Sequence, residues 1–339
     1  MNIRTMLLAS VAVAFVAGPV SALADTSDKR IALSNNYAGN SWRQAMLTSW
    51  DKITSEAVSS GIVAAADPFT TAENQATEQA AQIQNLILQG YDAIVINAAS
   101  PTAINGAVKE ACDAGIVVVS FDGIVTEPCA WRIAVDFRAM GESQIDYLAE
   151  KMPDGGNLLE IRGLAGVSVD DEIHAGIQAG VEKHPQFKVA GSVNGDWAQD
   201  VAQRAVAGLL PSLPEIAAVV TQGGDGYGVA QAFAAASRPT PVIVMGNRED
   251  ELVWWKQQKD ADGYETMSVS IAPGVSTLAF WVAQQILNGK DVQKELVVPF
   301  LRIDQDNLED NLANTQKGGV ANVEYSLEDA QKVIDAAAK

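Results

Sequence analysis

Histidine and cysteine each occur only twice in the 339 residues, and 23 basic side chains face 42 acidic ones. Scarce histidine argues against imidazole-based metal or acid–base chemistry: His174 and His184 stand on or just after one helical stretch, at a spacing that places them on different faces. No G-x-S-x-G elbow, H-E-x-x-H pair or Walker loop supplies an alternative catalytic centre. The net charge of −19, with no basic block anywhere, excludes phosphate backbones and anionic lipid surfaces as partners. Acidity alone names no partner, because excess carboxylate serves solubility. Proline is sparse at 12 residues while 48% of residues are apolar, which excludes a disordered or collagenous chain. Long charge-free apolar runs are also missing beyond the first residues, so no later segment has the roughly 20 residues a membrane span requires.

What is present begins at the N-terminus. Arg4 supplies a positive start, residues 6–17 an apolar stretch and Ala22-Leu23-Ala24 an A-x-A site, the pattern of a secretory signal peptide cleaved after Ala24. Its removal takes one arginine and no acid, leaving an acidic, exported chain. Export favours a bridge over two free thiols. Cys112 lies late in a helical stretch and Cys129 one strand further on, so they are expected to form a structural disulfide; two unrelated buried thiols are the alternative. Neither has a ligand-spaced histidine or cysteine nearby, and no metal is expected.

From Lys29 onward, short apolar runs alternate with longer amphipathic stretches, and the runs are too continuous for half-exposed strands. The spacing predicts strands at 30–34, 62–66, 93–97 and 117–121, separated by helices at 42–60, 71–89 and 104–114. Gly61, Gly90 and Gly115 follow these helices where a left-handed residue is needed. Thr70 and Glu73 stand at capping-box spacing before the second helix. The pattern restarts with strands at 157–161, 187–193, 217–221 and 242–245 and helices at 171–183, 198–210 and 228–235. Residues 266–269, a helix at 275–288 and a strand-like run at 296–300 follow. The polar tail from 302 to 339 is expected to wrap the surface, with a short helix near 326–338. This is an α/β chain of two doubly wound parallel-sheet lobes in tandem.

An open parallel sheet places its ligand crevice at the carboxyl ends of its strands. Those positions hold Asn40, Trp42, Arg43, Asn97 and Asp122 in the first lobe. In the second they hold Asp171, Trp197, Asp225 and Asn247, with Arg248 beside the last. The piece Gly223-Gly224-Asp225-Gly226-Tyr227-Gly228 lacks G-x-G-x-x-G spacing, and Asp225 would meet a phosphate with like charge, so a nucleotide is disfavoured. Indoles, carboxamides, carboxylates and guanidinium groups suit a polyhydroxylated ligand, whose C–H faces pack on rings and whose hydroxyls both donate and accept. Singly, these residues have plainer uses: Trp42 and Trp197 as core aromatics, Asn40, Asp122 and Asp225 as helix caps or turn formers. Together, at matching ends of two lobes, they point to a site.

With these residues in place, the chain from about Lys29 to Arg302 resembles a ribose-type (type I) periplasmic sugar-binding protein of a bacterial ABC importer. The resemblance rests on Gly39-Asn40-Ser41-Trp42-Arg43 after the first strand, Asn97 in Ile94-Val95-Ile96-Asn97, Asp122 in Val119-Ser120-Phe121-Asp122, and Trp197 in Gly195-Asp196-Trp197. Asp225 and Asn247 fall near the two remaining strand-end ligands. It implies three crossings between the lobes, near 135–137, 270–272 and 297–299, with Val135, Asp136, Ile271 and Val298 as hinge residues. The expected division is a signal peptide at 1–24, one lobe at 25–135 plus 271–297, the other at 136–270 plus 298–304, and a tail at 305–339.

Two departures put ribose itself in doubt. Gly163-Leu164-Ala165-Gly166-Val167-Ser168-Val169-Asp170-Asp171 lacks the arginine that ribose-binding relatives place after this glycine-rich turn, and Gly123 follows Asp122 where they have another arginine. An extra carboxylate could welcome a cationic group such as the amine of an amino sugar, or simply accept hydroxyl protons. The expectation is therefore a periplasmic monomer that binds a monosaccharide or polyol, uses no cofactor, catalyses no reaction and passes its ligand to an ABC transporter permease. A sensor subunit that signals to a membrane receptor, or an amino-sugar-specific binder, is the alternative. A repressor of the same bilobal shape would need a helix-turn-helix and a basic surface, and an enzyme would need a nucleophile, base or metal shell.

Overall fold

The computed structural model describes residues 25–73 and 75–338. The expected signal peptide and its expected cleavage site lie outside them. In the first lobe β1 (Arg30–Asn35), α1 (Ser41–Ser59), β2 (Ala65–Thr70), α2 (Ala76–Leu88), β3 (Ala93–Asn97), α3 (Asn105–Asp113), β4 (Val117–Phe121) and β5 (Trp131–Val135) follow in order. The second lobe is built from α4 (Phe137–Lys151), β6 (Gly156–Arg162), α5 (Ser168–Lys183), β7 (Phe187–Asn194), α6 (Gln199–Leu209), β8 (Ala218–Val220), α7 (Gly226–Ala235), β9 (Val242–Ile243), α8 (Glu249–Asp262) and β10 (Ser268–Ser270). The chain then returns through α9 (Val275–Leu287) and β11 (Glu295–Val298) to the first lobe. It ends with β12 (Leu301–Ile303), α10 (Leu308–Ala313) and α11 (Leu327–Ala337).

Six parallel strands in the order β11-β5-β4-β3-β1-β2 form the first sheet, and four in the order β7-β6-β8-β9 the second. A parallel bridge from Met245 to Ser268 carries the second sheet on to the antiparallel pair β10-β12. The chain therefore passes between sheets at three places: after Val135, after Ser270 and after Val298. Asp136 caps α4 at the first by accepting from the Ala139 amide at 2.8 Å.

Alternate side chains of the central strands enter different cores, which explains why those strands read as unbroken apolar runs. Ile31, Leu33, Val95 and Val119 pack with Met46, Trp50 and Leu278 under α1 and α9, whereas Ala32, Ile94, Ile96 and Val118 pack with Ile83, Leu86 and Val108 under α2 and α3. The second lobe repeats this arrangement: Leu158, Ala218 and Val220 face α4 and α5, while Leu159, Ile161 and Val219 face α6 and α7. Helices α4 and α5 approach at backbone distance because glycines meet there. A side chain at Gly141 would strike the Ile173 carbonyl, and one at Gly176 the Arg138 carbonyl.

Several expectations are corrected. The second strand runs through Ala65–Thr70 rather than 62–66, and none of the residues of its sequence AADPFT is fully buried. As the edge strand it needs no two-faced apolar run, and Pro68 is tolerated there. Thr70 thus ends a strand, where its hydroxyl accepts from Asn35 Nδ2 at 3.2 Å, and caps no helix; α2 begins at Ala76 without a side-chain cap. Strands β5 and β12 and helices α4, α8 and α10 were not anticipated. The C-terminal segment does wrap the surface: Ala321 and Asn247 exchange hydrogen bonds in the second lobe, and Trp281 of α9 donates to the Tyr325 carbonyl at 3.1 Å in the first. A disulfide joins Cys112 to Cys129 across a sequence separation of 17. Among the described residues, no helix is long and apolar enough to cross a membrane.

Candidate functional site

The carboxyl ends of both sheets open onto one cavity between the lobes, with about 100 Å³ available to the centres of water molecules. A single water needs roughly 10–15 Å³ of such space, so the cavity accommodates a small molecule.

On the first-lobe wall, the turn after β1 brings Asn36 and Asn40 to the cavity. The Asn40 side-chain oxygen caps α1 by accepting from the Arg43 amide at 2.9 Å, so it serves as a cap while its residue also lines the site. One residue into that helix, the Trp42 indole N–H donates to the Ile271 carbonyl at 2.7 Å, which fixes the ring at the second crossing. Arg43 lies over the Trp42 ring with its guanidinium carbon 5.1 Å from the centroid, and its Nη2 is 3.3 Å from Asp122 Oδ2.

Asp122 follows β4 in a left-handed conformation (φ 57°), which an Asp side chain tolerates better than a bulky or β-branched one. Its Oδ2 also accepts from Asn97 Nδ2 at 2.9 Å. Burial pushes this carboxyl up from the usual aspartate range and Arg43 pulls it back down, whereas burial lowers Arg43 and Asp122 opposes that shift. Gly123 lines the cavity next door because a side chain there would run into the Ala98 carbonyl oxygen. Two acceptors remain. Asn97 Oδ1 and Asn36 Oδ1 are buried, and no donor among the described residues reaches either one. Their amide ends are committed, Asn97 to Asp122 and Asn36 to the Ala98 carbonyl at 2.9 Å, so the oxygens cannot be exchanged for donors by a flip.

The second-lobe wall differs in kind. Trp197 reaches it from a turn in which Asp196 and Trp197 both adopt φ 53°, and its ring covers Gly163, where any side chain would collide with the indole. Gln222 lines the wall with both ends engaged: its oxygen accepts from the Gly163 amide at 3.0 Å and its nitrogen donates to Asp170 Oδ1 at 2.8 Å. Arg248 donates to the Gly224 carbonyl and, at 2.6 Å, to the Trp197 carbonyl. Asn247 lines the wall and gives its amide to the Ala321 carbonyl at 2.9 Å. The rest of this face is the Gly223-Gly224 main chain, Ser270 and carbon: Phe137, Met140, Val167, Val169, Ile173 and, at the crossing, Ile271.

Seven of the nine predicted ligand-binding positions, Asn40, Trp42, Arg43, Asn97, Asp122, Trp197 and Asn247, meet in this cavity. Asp171 and Asp225 do not. Asp171 has a side chain 70% exposed and paired with Arg162 at 3.2 Å, because α5 rotates about 100° per residue and turns Val169 and Ile173 inward instead. The neighbouring acid Asp170 is buried but bound to Arg162 at 2.5 and 2.8 Å, which neutralises it. Asp225 is fully buried behind the wall. Gly223 (φ 91°) and Gly224 (φ 88°) bend the backbone so that the wall is main chain, and the Asp225 carboxylate turns back toward Gly195 and Ile161. Burial and then Glu251 hold this carboxyl well above the usual range. The sequence reading did not assign Asn36, Gln222, Ser270 or the carbon residues to the site. Asn36 was within reach, one residue beyond β1; the carbon wall was not, because a search for polar strand ends passes over valine and isoleucine.

Of the predicted hinge residues, Val135 closes β5, Asp136 caps α4, Ile271 lines the cavity and Val298 closes β11.

Known proteins match this arrangement. The family of periplasmic binding protein domains matches residues 31–291. The xylitol-binding protein of Mycolicibacterium smegmatis is 26% identical over 275 residues, covering 79% of this chain and 73% of that protein. The ribose import binding protein of Bacillus subtilis is 27% identical over 233 residues, covering 67% and 73%. A solved ABC transporter solute-binding protein from Thermobispora bispora superposes with a TM-score of 0.85 at 33% identity, over 92% of this chain and 96% of that one. The protein belongs to the periplasmic binding protein family.

Proposed function

We propose that this protein captures a monosaccharide or sugar-like polyol between its lobes in the periplasm and delivers it to an ABC transporter permease. The observation that carries the reading is the convergence of Asn36, Asn97, Asp122 and Arg43 on one wall of the cavity, with the Oδ1 atoms of Asn36 and Asn97 buried acceptors that no donor among the described residues reaches. Buried acceptors without donors are rare, and a row of ligand hydroxyls meets that need directly. The indoles of Trp42 and Trp197 supply the faces for C–H groups. Relatives that bind xylitol and ribose favour the same class. Arg43 beside Asp122 argues against the amino-sugar alternative, because the carboxylate already has its countercharge. Closure occurs by rotation about the three crossings at Val135, Ile271 and Val298, and the working step is motion rather than chemistry. The exported form begins at Asp25 and acts as a monomer.

The test is a thermal-shift panel of pentoses, hexoses, amino sugars and polyols on protein that has been unfolded and refolded to strip any carried ligand. A binder present at 100 times its Kd stabilises by about 2.7 kcal/mol, a rise of several degrees in Tm. A panel in which no sugar or polyol raises Tm overturns the assignment.

A further inference from the structure

The two walls of the cavity make different demands on a ligand. The first offers the acceptors of Asn36, Asn97 and Asp122 and the donors of Arg43. On the second, Gln222 is committed at both ends to Gly163 and Asp170, Arg248 gives two of its N–H groups to backbone carbonyls, and Asn247 and Ser270 stand at the edge of the wall next to the crossing. Val169 and Ile173, one turn apart on α5, present branched hydrocarbon to the cavity beside Val167 and Met140. The acid of that turn, Asp170, is held by Arg162, and Asp171 points to solvent. A ligand hydroxyl placed against this hydrocarbon would lose water and gain no partner.

Resting on the reading above, we propose that the ligand turns a carbon-only edge, such as a methyl or deoxygenated carbon, toward Val169 and Ile173. The site thus selects terminally deoxygenated or alkylated sugars over their fully hydroxylated parents. An unpaired buried hydroxyl weakens binding by about tenfold to a hundredfold, and that is the expected discrimination.

Calorimetric titration of refolded protein with three matched pairs tests this: D-ribose with 5-deoxy-D-ribose, D-galactose with D-fucose, and L-mannose with L-rhamnose. The deoxy member of at least one pair is expected to bind tenfold or more tightly than its parent. In Ile173→Gln, which adds hydrogen-bonding groups to the wall, the preference is expected to shift toward the parent by about as much. Val169→Thr, nearly isosteric, makes the same test should the first variant not fold. Parents that bind as tightly as their deoxy partners in every pair, binding confined to sugars outside the pairs, or discrimination unchanged in the variants each overturn this inference alone. Failure of every sugar and polyol to bind overturns the proposed function and the inference together.

Discussion

Asp122 is the position at which the proposed site can be tested most sharply, because two substitutions there separate charge from backbone. Its Oδ2 takes a hydrogen bond from Asn97 and lies 3.3 Å from Arg43, on a side chain only 11% exposed. A ligand hydroxyl donating to such a carboxylate contributes about 1.5–3 kcal/mol. Asp122→Ala removes the acceptor entirely and is expected to weaken binding by about 10- to 100-fold. Asp122→Asn keeps a neutral oxygen in place and loses about half of that free energy, so its affinity falls by about 3- to 10-fold. The backbone term reads out separately. At φ 57°, alanine is strained by roughly 1–2 kcal/mol and asparagine much less. Both variants leave Arg43 without its countercharge, so the difference between their ligand-free urea stabilities reports the strain together with the Asn97 hydrogen bond, which asparagine can keep and alanine cannot. Isothermal titration with the tightest ligand of the panel gives the affinities. Two variants that bind within a factor of two of the wild type would refute the placement of Asp122 in the site.

Three further outcomes are expected. Asp225 is buried with neither carboxylate oxygen bonded to any described residue, and burial holds its folded-state pKa well above the usual aspartate range. Between about pH 4 and the folded value, the unfolded chain ionises while the folded chain keeps the proton, so the wild type loses up to about 1.4 kcal/mol of stability per pH unit. Asp225→Asn lacks that slope, and its stability relative to the wild type should climb as pH rises from 4 to 7; a difference independent of pH contradicts the assignment. Replacing both Cys112 and Cys129 with serine opens the loop closed by a separation of 17 residues and should lower stability by about 3 kcal/mol in denaturant titrations, with ligand affinity unchanged because neither cysteine lines the cavity. Gly176→Ala forces α5 away from the Arg138 carbonyl of α4 and should reduce Tm by several degrees, whereas Gly208→Ala, with open space around it, should leave Tm the same or slightly higher.

The two-lobe α/β architecture was legible in the chain because its central strands are buried on both faces, so each reads as an unbroken apolar run followed by an amphipathic helix and a terminal glycine. Gly61, Gly90 and Gly115 do adopt positive φ, at 70°, 73° and 83°. Edge strand β2 was misplaced for the same reason in reverse, since a strand packed against one neighbour carries no such run. Helix α4 escaped notice because Gly141 and Gln144 interrupt its inward face, and the glycine there acquires its meaning only when the backbone of α5 is beside it.

Strand-end positions for most of the polar site residues followed from topology that local sequence already implied. Which way each side chain turned did not. One residue of helical rotation separates solvent-facing Asp171 from buried Asp170, and two left-handed glycines send Asp225 behind the wall it was expected to line. Residue types and their order determine which chemical groups arrive at the strand ends. Only the packed tertiary structure decides which are already satisfied by Arg162, Arg43 or a backbone carbonyl and which stay open to a ligand, because that depends on partners far away in the chain.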